Sequence, residues 1–152
     1  MKRVVIFGLV SIMLLPWLII GCVSEKEASP TSTPTPNTQA VAITLDELVA
    51  QNNMLKYVET TYPGTVTVRL GSNPTTGYGW EVTEIDYPEV IERMSNNYEG
   101  PTATNLVGAG GTDVWVFNAR DTGLAIIRMS YSQPWSGGVK DLYTVTINVN
   151  VR

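Results

Sequence analysis

The strongest constraint on the fold is a strict alternation of apolar and polar residues at the end of the chain. In residues 142–151, LYTVTINVNV, threonine or asparagine separates five apolar residues, Tyr143, Val145, Ile147, Val149 and Val151. Successive side chains of a β-strand point to opposite faces, so this spacing is typical of a strand with one buried face. The segment therefore predicts a strand that covers a hydrophobic core.

The same alternation recurs upstream, with turn signals roughly every dozen residues. Strands are predicted in residues 65–70, 78–83, 112–119 and 124–131. VAITL (41–45) is expected to start the first strand. Residues 45–59 have an apolar spacing that suits a short helix, and residues 89–98 fit either a helix or a strand. The pattern predicts an all-β fold, an immunoglobulin-like antiparallel β-sandwich of about seven or eight strands without a disulfide.

The composition excludes several kinds of site. The chain has one cysteine and no histidine, which rules out an intrachain disulfide, a Cys/His zinc site and a Ser/His/Asp triad. Its formal net charge of -4 argues against a nucleic-acid partner. We expect no cofactor, no metal, no small-molecule substrate and no enzymatic activity.

The first residues have the pattern of a lipoprotein signal. Lys2 and Arg3 precede an apolar run over residues 4–20, and Gly21 stands before Cys22. Residues 1–21 are predicted to be cleaved, leaving Cys22 lipidated as the new N-terminus. The alternative, an uncleaved membrane helix, is disfavoured because Pro16 makes the run short for a span.

Residues 22–39 are rich in serine, threonine and proline and contain no large apolar residue after Val23. Such a segment cannot form a core and favours an extended linker that reaches on the order of 50 Å at ~3.1 Å per residue. We therefore expect residues 40–152 to form one exported domain, tethered to the membrane outside the cytoplasm.

Three connections between predicted strands have unusual compositions: NPTTGY (73–78), VGAGG (107–111) and QPW (133–135). If each strand runs opposite to the last, all three emerge at one end of the sandwich. Pro74 and the β-branched Thr75 and Thr76 make the first connection stiff, and glycines in the second let bare backbone approach another surface. A phosphate cradle is disfavoured because that glycine run opens no helix.

Three of the four tryptophans lie outside the predicted signal peptide, and their contexts differ. Trp80 and Trp115 lie on predicted strands and are assigned to the core. Trp135 follows Pro134 on a loop, which is typical of an interface anchor, although it would also suit a lid that folds back over the core.

The three loops, in this order and spacing, resemble the signature loops of the chagasin family, protein inhibitors of papain-like cysteine peptidases. The resemblance runs from about residue 66 to the C-terminus and implies an immunoglobulin-like sandwich. It also implies a reversible, tight-binding inhibitor whose partner is a papain-like cysteine peptidase.

The resemblance assigns the peptidase-binding residues. Thr75 and Thr76 would enter the peptidase cleft, and the other two loops would contact its sides. The complete set is Asn73, Pro74, Thr75, Thr76, Gly77, Tyr78, Val107, Gly108, Ala109, Gly110, Gly111, Gln133, Pro134 and Trp135. Gln133 departs from the family, which commonly has arginine before Pro-Trp, so a charged contact with the enzyme would be lost.

Two other functions fit the same chain. A lipid-anchored adhesion or scaffold module would use the sandwich without a peptidase target. A surface hydrolase would need two carboxylates, such as Glu81 and Asp113, to converge in a pocket. The acidic residues between positions 81 and 92 lack EF-hand spacing and are read as a solvated face.

Overall fold

The computed structural model describes residues 37–101 and 108–152. The predicted signal peptide, Cys22, Val107 and all but the last three residues of the linker lie outside this part of the chain. Within the described residues, no helix is long and apolar enough to cross a membrane.

Within residues 37–101 and 108–152, eight strands form two four-stranded sheets that enclose one core. The strands are β1 (Asn37–Ile43), β2 (Asn53–Thr60), β3 (Gly64–Ser72), β4 (Gly79–Asp86), β5 (Ile91–Glu99), β6 (Gly111–Ala119), β7 (Gly123–Ser132) and β8 (Tyr143–Val151). The first sheet has the order β1-β3-β6-β5, and the second has the order β2-β8-β7-β4. The predicted β-sandwich is confirmed.

Alternation on the strands positions the core. The inward residues of β8 fall at every second position, as predicted, and Val145 and Ile147 are fully buried. Phe117 and Trp115 on β6 and Trp80 on β4 are also buried, which confirms the core assignment of both tryptophans.

Pairing is antiparallel within the sheets except at two edges. β1 runs parallel to β3, and β2 runs parallel to β8. Successive strands alternate in direction, so β1 and β3, two strands apart in the chain, run parallel, as do β2 and β8, six strands apart. The other neighbours, including β3 with β6 and β7 with β8, are antiparallel.

The segment at residues 45–59 divides into a helix and a strand. The predicted helix forms as α1 (Leu45–Gln51), and it ends at Asn52, which has a positive φ of 56°. Beyond this turn the chain enters β2, whose Met54 and Val58 point into the core. The ambiguous segment at residues 89–98 contains most of β5.

The domain begins before the predicted boundary at residue 40. β1 starts at Asn37, and its first residues pair with Gly64, Thr65 and Val66 of β3. The three residues assigned to the end of the linker are therefore part of the sheet. Their polarity suits an edge strand whose outer face meets solvent.

Candidate functional site

The central loop, residues 73–78, contains one 3-10 turn over Pro74–Thr76. The Asn73 side-chain oxygen accepts hydrogen bonds from the Thr75 N–H at 3.3 Å and from the Thr75 hydroxyl at 2.6 Å. The Thr76 hydroxyl donates to the Asn73 carbonyl at 2.6 Å. Both threonine hydroxyls thus bond to their own loop, which adds to the stiffness predicted from proline and β-branching.

The central loop contacts the glycine loop, residues 107–111. The Asn73 side-chain amide donates to the Gly108 carbonyl at 2.9 Å. A Cβ at Gly110 would stand 3.0 Å from the Ser72 carbonyl oxygen, and one at Gly111 would stand 2.2 Å from the Glu99 carbonyl oxygen. Only glycine permits the close approach of position 111 to the Glu99 backbone of β5. The Asn73–Gly108 hydrogen bond and the contact of Gly110 with Ser72 place the two loops side by side.

The central loop also contacts the tryptophan loop, residues 132–138. Gly77 ends the 3-10 turn in the left-handed region, with φ of 82°. A Cβ at this position would be 2.6 Å from the Trp135 ring, so the indole lies directly over Gly77. Trp135 remains 50% exposed, and its ring covers the central loop instead of the core.

Gln133 closes its own loop. Its backbone N–H donates to the Val139 carbonyl at 2.8 Å, and its side-chain oxygen accepts from the Val139 N–H at 3.0 Å. The ammonium of Lys140 donates to the Gln133 carbonyl. The Gln133 side chain, one of the predicted peptidase-binding groups, therefore also stabilises the tryptophan loop.

An aromatic cluster supports the central loop from below. The buried Tyr131 hydroxyl accepts a hydrogen bond from the Asn73 N–H at 2.8 Å. The Tyr131 ring lies 5.5 Å from Tyr78, 5.1 Å from Trp80 and 5.9 Å from Tyr143, measured between ring centroids. Sequence analysis missed Tyr131, although its place on the inward face of β7 with Ile127 and Met129 was the available signal.

Three charged groups of the first sheet lie near the base of the glycine loop. Arg69 on β3 pairs with Glu99 at the end of β5, and the hydrogen bond from Arg69 lowers the pKa of the Glu99 carboxyl. This pair spans β6 just below the glycine loop. Burial raises the pKa of the half-buried Asp113 carboxyl on β6.

The structure does not bring the two candidate hydrolase carboxylates together. Glu81 is exposed on β4, at the edge of the second sheet, whereas Asp113 lies on β6 in the first sheet. Three other acidic residues of the stretch form ion pairs, Glu84 and Asp86 with Arg128 and Glu92 with Arg120. These carboxylates accordingly line a surface, as predicted.

Residues 63–149, more than half of the chain, match the family described as chagasin family peptidase inhibitor I42. This chain belongs to the chagasin family. It is 32% identical over 90 residues to chagasin of Trypanosoma cruzi, and the aligned region covers 56% of this chain and 81% of chagasin. It is 28% identical over 89 residues to amoebiasin-2 of Entamoeba histolytica, and the aligned region covers 57% of this chain and 70% of amoebiasin-2.

Solved structures agree with the chagasin-family fold. The cysteine protease inhibitor EhICP2 from Entamoeba histolytica superposes with a TM-score of 0.60 at 20% identity, covering 78% of this chain and all of that one. PbICP-C, solved in complex with falcipain-2, gives a TM-score of 0.56 at 17% identity, covering 76% of this chain and 99% of that one. At these identities the likeness supports the fold alone, which is the predicted immunoglobulin-like sandwich.

All three loops of this chagasin-family member fall inside the matched residues 63–149. The helix α1 precedes them. The region shared with the family therefore contains the three contacting loops and the aromatic cluster, while α1 belongs to the part of the chain outside the match.

Proposed function

We infer that this chain is a reversible, tight-binding protein inhibitor of papain-like cysteine peptidases. The observation that carries this inference is the contact of three loops at one end of a chagasin-family sandwich, through the Asn73–Gly108 hydrogen bond and the packing of Trp135 on Gly77. We call this end of the molecule the loop end. The three loops would fill the active-site cleft of the peptidase together.

The central loop suits a narrow, water-poor cleft. Pro74, Thr75 and Thr76 are exposed and uncharged, so their burial leaves no unpaired charge. A loop held by its own hydrogen bonds loses little conformational entropy on binding. The same bonds resist the near-attack geometry that cleavage requires, which favours inhibition over turnover.

The flanking loops supply two other kinds of contact. Exposed Gly108 and Gly110 present main-chain groups for hydrogen bonds with the peptidase. Half-exposed Trp135 supplies apolar area, which is typical of an interface anchor. With the central loop, they could bury a standard interface of about 800 Å² per partner.

We propose that the domain is exported and held on the membrane by lipidated Cys22. Asn37 pairs with Gly64, at the start of β3, whereas the end of β3 at Ser72 leads into the central loop. Asn37, the first residue of β1, therefore lies at the end of the sandwich opposite the loop end.

Inhibition kinetics test the proposed function. The full chain, purified in mild detergent, is titrated into papain while hydrolysis of a fluorogenic peptide is followed. We expect reversible, competitive inhibition well below micromolar protein. No inhibition at micromolar protein would contradict the proposal and favour the scaffold module.

A further inference from the structure

A fourth connection lies at the loop end. α1 joins β1 to β2 next to β3, where a Cβ at Gly71 would be 2.3 Å from the Leu45 nitrogen. Thr44 and Glu47 form a capping box: the Thr44 hydroxyl accepts from the Glu47 N–H at 3.2 Å, and the Glu47 carboxylate accepts from the Thr44 N–H at 2.7 Å. With Leu48 fully buried, α1 is fixed in place.

The outer side of α1 carries an exposed apolar residue. Val49 is 60% exposed beside the buried Leu48, and Leu142, after the tryptophan loop, is 37% exposed. Both line an open notch of about 160 Å³ that reaches the central loop. Its remaining lining residues are Leu45, Asn73, Thr76, Tyr78, Tyr131 and Tyr143.

We propose that this notch, here called the α1 notch, receives one apolar side chain from the rim of the peptidase cleft. α1 would then be a fourth contact element, and Val49 and Leu142 would help to select the target. This inference rests on the proposed inhibitory function. It extends that function because the three loops do not include either residue.

The size of the α1 notch favours a single side chain. A cavity of roughly 150 Å³ lined by apolar groups holds one benzene-sized group. Pockets for small-molecule ligands are larger, roughly 300–1,000 Å³. One leucine or phenylalanine side chain of a partner protein therefore fits the notch better than a free ligand.

The position of the α1 notch identifies the partner as the same peptidase. Asn73 and Thr76 belong both to the notch and to the central loop. A peptidase that accepts the central loop in its cleft would thus bring its rim against Val49. Because α1 precedes the matched residues 63–149, the Val49 side of the notch lies outside the region matched to the family, whereas Leu142 lies inside it.

Two single substitutions test the inference. Val49→Asn removes the apolar group at nearly constant helix propensity, and Leu142→Asn removes the other side of the notch without altering α1. Leu124→Asn is the matched control, because Leu124 is 66% exposed at the start of β7, opposite the loop end. Each full-length variant is assayed against papain and cathepsin L, and its melting temperature is measured.

We expect Val49→Asn and Leu142→Asn to raise the inhibition constant for at least one peptidase by about tenfold, with melting temperatures close to that of the unsubstituted chain. Leu124→Asn should leave inhibition unchanged. If the unsubstituted chain inhibits and both notch variants inhibit equally well, the α1 contact is wrong while the proposed function stands. If the unsubstituted chain does not inhibit, both are wrong.

Discussion

At the scale of single residues, Asn73 organises the loop end. Its side chain binds Thr75 on one side and Gly108 on the other, and its N–H donates to the Tyr131 hydroxyl. Sequence analysis chose Asn73 only as a member of the binding loop. Its two partners outside the central loop lie 35 and 58 positions away, at distances along the chain over which alternation gives no information.

Tyr131→Phe should weaken inhibition with little effect on the fold. The variant keeps the aromatic ring but removes the acceptor for the Asn73 N–H, so the central loop loses one hydrogen bond of about 1 kcal/mol. We expect the inhibition constant for papain to rise about fivefold. Tyr57→Phe, at a 75% exposed position on β2, is the control; an equal effect in both variants would contradict a positioning role for Tyr131.

Asp113→Asn should stabilise the domain at neutral pH. Burial raises the pKa of this carboxyl in the folded state above its ordinary value of about 4. The protonated Asp113 carboxyl therefore contributes its full stabilisation at pH values below its ordinary pKa. This stabilisation is lost as the pH rises through the folded-state pKa. Because asparagine does not ionise, the variant should melt at a higher temperature at pH 7, and the difference should shrink toward pH 3.

Thermal unfolding of both chains between pH 3 and pH 8 measures this difference. Glu81→Gln, at an exposed position on β4, serves as the control. A lower melting temperature for Asp113→Asn at pH 7 would show that the ionised carboxylate is stabilising instead.

At the scale of secondary structure, the sequence predicted strands best where one face is buried along the whole element. β3, β7 and β8 are of this kind. β5 stayed ambiguous because it is an exposed edge strand with a register shift between Arg93 and Ser95, which interrupts alternation. β2 was not separated from α1 because the turn at Asn52 has no glycine or proline to mark it.

The contact between the central loop and the tryptophan loop can be tested with two glycines. Gly77 and Gly137 both have left-handed φ values, 82° and 79°, so alanine at either costs about 1 kcal/mol or more. A Cβ at Gly77 would strike the Trp135 ring at 2.6 Å, whereas one at Gly137 meets nothing within 4 Å. Both substitutions therefore carry the same backbone cost, and only Gly77→Ala adds a clash with Trp135.

We therefore expect Gly77→Ala to raise the inhibition constant for papain by about tenfold, while Gly137→Ala changes it little. The intrinsic fluorescence of the tryptophans should also change in Gly77→Ala as the indole of Trp135 moves. Equal inhibition by the two variants would mean that the position of Trp135 over Gly77 does not matter for binding.

At the scale of the whole molecule, strand direction decides what the loops can do. Successive strands alternate in direction, so the connections β1–β2, β3–β4, β5–β6 and β7–β8 share one end. Alternation and turn spacing were enough to predict that the connections β3–β4, β5–β6 and β7–β8 lie at the same end of the sandwich. The fourth, α1, was missed because the sequence did not resolve where helix became strand within residues 45–59.

Cys22→Ser tests the proposed membrane anchor. Without the thiol no lipid can be attached, and two or more acyl chains are needed for stable anchoring. In cells that process lipoproteins, we expect the unsubstituted chain in the membrane fraction and the variant largely outside it. Val23→Ser is the control, and equal partitioning of the two chains would contradict lipidation at Cys22.

Protection of the catalytic cysteine of papain is the most direct test of cleft occlusion. Papain is mixed with one equivalent of the full chain, and alkylation of its active-site thiol by iodoacetamide is followed by mass spectrometry. The account predicts that alkylation slows in proportion to the inhibition and that the inhibitor is recovered uncut. Alkylation at an unchanged rate while peptide hydrolysis is inhibited would mean that the chain binds away from the cleft.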